Sequence, residues 1–140
     1  MTLNPYLNFP GNTEEALIFY KSVFGGDFSY LQRFQGMEGS DKLPAGDQNK
    51  IMHMALPIGN SLLMATDALA SMGQKLTFGN NFYIIVDTDT KAQADELFAR
   101  LSAGGRIEMP IGDASWGAYF GCFADKFGVQ WMINFDSSKK

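Results

Sequence analysis

The chain has 140 residues, 46% of them hydrophobic and 19% charged, which is ordinary for one soluble domain with a real core. Its formal net charge is −4, and Lys and Arg are scattered rather than gathered in a stripe, which speaks against nucleic acid as a partner. No apolar run reaches the roughly 20 residues of a membrane span, no basic and apolar leader precedes the first strand-like run, and the lone Cys122 forbids an internal disulfide, so a cytoplasmic protein without membrane contact is expected.

In chain order, residues 5–9 (PYLNF) form a short apolar run that predicts a strand. Residues 11–24 (GNTEEALIFYKSVF) predict a helix. Asn12 or Thr13 suits its cap, Glu14 and Glu15 suit its positive end, and Ala16, Phe19, Tyr20 and Val23 recur at helical spacing. Gly25 and Gly26 stop it. Strands follow at 28–34, 50–58 and 61–66, the last two joined by a Gly59-Asn60 turn as a hairpin.

The same order then recurs. Residues 80–88 predict a strand, 89–105 a helix with Ala94, Leu97, Phe98 and Leu101 on one stripe, and 106–111, 118–124 and 129–135 three strands. Gly104 and Gly105 lie 79 positions after Gly25 and Gly26, and at that offset Phe19 meets Phe98 and Ile18 meets Leu97. Two βαβββ units in one 140-residue domain are thus expected: module one about 1–67, a linker at 68–79, module two about 80–137. The polar or glycine-rich stretches 35–49 and 67–79 read as loops. The expected class is α+β, a curved mixed sheet with helices outside and a concave side suited to a small molecule.

The strings PYLNFPGNTEEALIFYKSVFGG, IMHMALPIGNSLLMATD and SWGAYFGCFADKFGVQWMINF carry a resemblance over nearly the whole chain. They resemble the vicinal oxygen chelate superfamily of glyoxalases, bleomycin-resistance proteins and extradiol dioxygenases, and within it the PhnB-like branch, which often bears a demethylubiquinone methyltransferase-type name. The resemblance implies a glyoxalase/bleomycin-resistance-like fold and a homodimer. It also implies a divalent metal held by His and Glu from the first and last strands of each module. Carried onto this chain, those positions fall at or beside Pro5, at Met64 or Leu63, at Asn81 and at Met132. Thioether, aliphatic and proline side chains do not hold a hard cation, so no metal and no other cofactor is expected.

Other residues then carry the functional expectations. His53, the one histidine, alternates with Ile51 and Ala55 against Met52, Met54 and Leu56; facing a cavity it is the candidate general base. Trp116 and Tyr119 are candidates to stack on a flat ligand, with Ser115 as a donor. Met64, Asn81, Gln130 and Met132 are the other candidate ligand-binding residues, Gln130, Met132 and Asn134 sharing a strand face. Cys122 reads as a small buried hydrophobe, and Arg33 and Asp67 as an ion pair or polar contacts. Gly25-Gly26 and Gly104-Gly105 lack the spacing of a dinucleotide loop, and no glycine-rich strand–helix motif for a methyl donor occurs. The first expectation is metal-independent binding of a small apolar or aromatic organic molecule. A metal-independent lyase or isomerase using His53, and a structural or dimerisation module without ligand, are the alternatives.

Overall fold

The structure, a computed structural model, describes residues 1–136. Ser137, the end of the expected second module, lies outside the described residues. The chain forms two compact units, Met1–Thr77 and a second beginning at Phe78.

The first unit runs β1 (Tyr6–Phe9), α1 (Thr13–Phe24), β2 (Tyr30–Arg33), β3 (Ile51–Ile58) and β4 (Ser61–Asp67). Its four-stranded sheet has the order β1-β4-β3-β2; β1 and β4 are parallel, the other pairs antiparallel. The second unit repeats this with β5 (Ile84–Asp87), α2 (Lys91–Leu101), β6 (Arg106–Asp113), β7 (Ala118–Ala124) and β8 (Gln130–Asp136), in the order β5-β8-β7-β6. Each expected βαβββ module thus forms its own four-stranded mixed sheet. The expected loops at 35–49 and 67–79 carry three short 3-10 turns, at Ser40–Lys42, Ala45–Asp47 and Ala70–Met72.

In each unit the helix covers one sheet face and the strands alternate accordingly. Leu7 and Phe9 of β1, Met54 and Leu56 of β3, and Leu63 and Ala65 of β4 are buried with α1 residues Ala16, Leu17, Tyr20 and Val23. Leu17, not Phe19, completes the α1 stripe; Phe19 is half-buried. In the second unit Ala94, Leu97, Phe98 and Leu101 are buried with Phe123, Trp131, Ile133 and Phe135. Phe98 meets Phe123 edge-on at 5.1 Å. Phe98 also requires a glycine in β7: a Cβ on Gly121 would stand 2.7 Å from its ring and 2.7 Å from the Ile111 backbone nitrogen.

The helix starts are satisfied differently. Thr90 caps α2, its hydroxyl accepting from Gln93 N–H at 3.0 Å, while the Gln93 side chain accepts from Asp89 N–H at 2.9 Å. Neither Asn12 nor Thr13 caps α1 with its side chain. Instead the buried Asp67, at the end of β4, accepts from Thr13 N–H at 2.9 Å and from Ile51 N–H at 2.8 Å. Asp67 is therefore not paired with Arg33. The Arg33 guanidinium donates to both carboxylate oxygens of Glu14, at 2.9 and 2.7 Å, and that bond holds the Glu14 carboxyl below its usual range.

The 125–128 turn rests on another buried carboxylate. Asp125 accepts from Phe127 N–H, from Val129 N–H and from the Trp131 indole, the last at 2.8 Å. Trp131 is thereby fixed in the core with its N–H satisfied. The apolar half of β8 is core; the other half faces away from α2.

Candidate functional site

Each sheet has a second face, opposite its helix. In the first unit one row across β1, β4, β3 and β2 reads Tyr6, Met64, Ala55, Tyr30. His53 stands one step along β3 on the same face, opposite Gln32. Its Nδ1 lies 2.9 Å from the Tyr6 hydroxyl, with the two ring planes 29° apart. Tyr30 closes on it from the other side, 5.2 Å between centroids and at 60°. Three strands therefore bring a Tyr-His-Tyr cluster over Met64, and His53 is half-buried on the open face rather than behind the sheet.

In the second unit the matching row across β5, β8, β7 and β6 reads Ile85, Met132, Cys122, Met109. The next reads Asp87, Asn134, Phe120, Gly112. The β6–β7 register shifts between Ile107 and Met109, so two residues, Glu108 and Met109, oppose the single Cys122. That bulge turns the Glu108 carboxylate onto the open face. There it accepts a hydrogen bond from the Tyr83 hydroxyl, which reaches it from the opposite edge of the sheet. Its other oxygen lies 3.5 Å from the Arg106 guanidinium. The bond to Glu108 and burial push the Tyr83 phenol up to about 12. Burial, and then the Glu108 charge, push the Cys122 thiol up, consistent with the expected buried hydrophobe.

The other predicted residues are distributed as follows. Met64 and Met132 occupy equivalent positions, each beside the first strand of its module on the open face, whereas Leu63 is in the core. Gln130 is buried and donates to the Phe82 carbonyl at 2.8 Å. Trp116, 72% exposed at the β6–β7 turn, leans on Phe120 with 5.3 Å between centroids. Tyr119 is separated from this group. It stands opposite Phe135 on the helix-covered face, donates to Asp95 of α2 and lies under the Lys91 ammonium, 4.5 Å from the ring centroid. Asn81 is exposed and precedes β5; with Gly79, Asn80 and Asn81 poor in strand propensity, the strand begins only at Ile84. Tyr6, Tyr30, Tyr83 and Glu108 belong to the two clusters and were not among the residues expected from sequence.

The divalent metal implied by the resemblance does not fit these residues. The open-face positions beside Pro5, at Met64 and at Met132 present a phenol and two thioethers, and Asn81, before β5, is a lone amide, while Ile85 holds the place in β5 that Tyr6 holds in β1. Among the described residues no three His, Cys, Asp or Glu side chains lie close enough to share an ion. At the amino end of α1 Asp67 accepts from Thr13 N–H, and the Phe9–Thr13 turn holds one glycine, Gly11, unlike a glycine-rich strand–helix turn. No helix among the described residues is long and apolar enough to cross a membrane.

Paired βαβββ modules with open sheet faces define the glyoxalase/bleomycin-resistance/dioxygenase fold. An enzyme of that family from Burkholderia phytofirmans PsJN shares it at TM-score 0.60 and 21% identity, over 94% of this chain and 96% of that one. The chain belongs to the PhnB-like family described as 3-demethylubiquinone-9 3-methyltransferase, whose pattern matches residues 1–134. Protein YjdN of Escherichia coli K12 is 33% identical, over 96% of this chain and 95% of its own. The crystal structure of PA1353 from Pseudomonas aeruginosa matches at TM-score 0.84 and 37% identity, over 97% of this chain and 98% of that one. A putative 3-demethylubiquinone-9 3-methyltransferase, PhnB protein, from Bacillus cereus matches at TM-score 0.78 and 26% identity, over 96% and 99%.

Proposed function

We propose that this PhnB-like protein binds a small apolar or aromatic organic molecule on its open sheet faces, without a divalent metal. The observation that carries this reading is the pair Met64 and Met132, thioethers standing where the superfamily places metal-binding carboxylates. Around them lie rings and neutral hydrogen-bonding groups: Tyr6, Tyr30 and His53 in one unit, Tyr83, Phe120 and Asn134 in the other. Thioethers and rings adapt to an apolar surface, and the polar atoms orient it. A thermal-shift screen of aromatic and apolar compounds in the presence of a chelator tests it. Hits that Met132→Lys abolishes are expected; an absence of hits across the screen contradicts it.

A second reading is favoured by the Tyr6–His53 bond. In the tautomer whose Nδ1–H donates to the Tyr6 oxygen, the basic lone pair of His53 sits on Nε2. Such an imidazole, on an open face, suits a general base in a metal-independent lyase or isomerase. For a turnover found with any ligand from the screen, His53→Ala then removes turnover and leaves binding, and Tyr6→Phe lowers turnover less. Equal loss of binding and turnover in His53→Ala contradicts a base. A homodimer in the cytoplasm is proposed on family resemblance, with sedimentation equilibrium as its test.

A further inference from the structure

The open face of the second unit has an apolar floor, Ile85, Met132, Cys122 and Phe120, with a carboxylate at each edge. Asp87 stands on β5, where it accepts from the Asn134 amide at 3.0 Å. Glu108 stands on β6, turned inward by the bulge and steadied by the Tyr83 hydroxyl. Among the described residues the basic side chain paired with Glu108 is Arg106, at 3.5 Å and with a largely exposed side chain, so it offsets little of that charge. Three rings, Tyr83, Phe120 and Trp116, belong to this face or lean on it. Beside Phe120 the edge position is Gly112, where an added Cβ would meet nothing within 4 Å, so the floor is open there.

An apolar floor, aromatic rings and carboxylates at the rim together favour a positive charge on an apolar body. Ring faces attract cations, and a carboxylate beside an apolar surface attracts one more strongly than a carboxylate surrounded by water. We infer that the ligand of this face is an organic cation, an ammonium or amidinium group on an apolar or aromatic body, with Glu108 as its principal anionic contact. This rests on the small-molecule reading above and deepens it. Tyr83 is a positioning residue: its hydroxyl donates to the Glu108 carboxylate and holds it on this face, near Cys122.

Calorimetry with three probes of one shape, 4-phenylbutylammonium, 4-phenylbutanol and 4-phenylbutanoate, tests it. The ammonium is expected to bind at least about tenfold more tightly than the alcohol. Glu108→Gln is expected to erase that preference and leave alcohol binding unchanged. Asp113→Asn, on the same strand but opposite Tyr119 in the helix-facing register, is expected to change neither. Circular dichroism of each variant guards against unfolding. Equal affinity for all three probes, or a preference that survives Glu108→Gln, overturns the cation inference and leaves the small-molecule reading standing. The carboxylate binding tightest overturns it as well. No binding of any probe counts against both. If Glu108→Gln instead dissociates a dimer and leaves probe binding intact, a second copy covers the face and the inference falls.

Discussion

Asp67 and Asp125 show how much of this fold depends on single carboxylates facing backbone N–H groups. Each is buried, and each joins segments that local propensity alone leaves loose. Asp67→Ala strands two buried donors, on Thr13 and Ile51, and should cost about 2–4 kcal/mol in urea denaturation. Asp67→Asn keeps one acceptor oxygen and should cost less. A loss below about 1 kcal/mol for the alanine variant would mean that water replaces the carboxylate. Tyr83 and Tyr119 give a second test at this scale. Each donates to a carboxylate, Glu108 and Asp95 respectively, and each phenol is pushed up to about 12, first by that bond and then by burial. Unfolded tyrosines ionise near about 10. Above that pH the unfolded chain has released protons that the folded chain still holds. The stabilisation is therefore complete below about 10 and is lost as pH rises through about 12. The double variant Tyr83→Phe, Tyr119→Phe should show a shallower fall of stability across that window, and wild-type phenolate absorbance should rise late for two tyrosines.

At the scale of elements, the strands, helices and glycine stops were legible because their signals are local. Helical spacing places Ala94, Leu97, Phe98 and Leu101 on one face, and the structure buries all four. The same spacing in α1 admits either Leu17 or Phe19, and only packing against the sheet decides for Leu17. Alternation also grouped Met132 with Asn134 on one face, whereas Met64 was singled out, beside Leu63, only by the resemblance. Alternation failed for Glu108, because a bulge adds one unpaired residue that no alternation pattern records. It failed for the Tyr6–His53 pair because the two residues are 47 positions apart in sequence. Tyr119 lies on the helix-covered face for a related reason: nearness to Trp116 in sequence, on a strand, says nothing of sharing its face. The close packing of α2 on β7 makes its own prediction. Gly121→Ala pushes a methyl into the Phe98 ring and the β6 backbone, and should cost about 1–3 kcal/mol. Gly112→Ala, where nothing lies within 4 Å, should cost much less. Equal losses would mean that conformational entropy at glycine, not packing, dominates.

For the whole molecule, the repeat is more than topological. Tyr6 pairs with Met64 and Ile85 with Met132, so residues 79 apart hold the same place beside a methionine in the two modules. The open-face positions that the resemblance assigns to metal-binding carboxylates carry Met64 and Met132, and the proposed function rests on that exchange. Shared fold alone does not imply shared chemistry, so metal binding is decided by the residues at these positions. The most direct test is the metal content of the purified protein, paired with calorimetry against Zn²⁺, Ni²⁺, Mn²⁺ and Fe²⁺. Substoichiometric metal and no saturable binding are the predicted result. Tight, one-to-one binding of any of these ions would contradict the account and reopen a metal-dependent mechanism on these sheets.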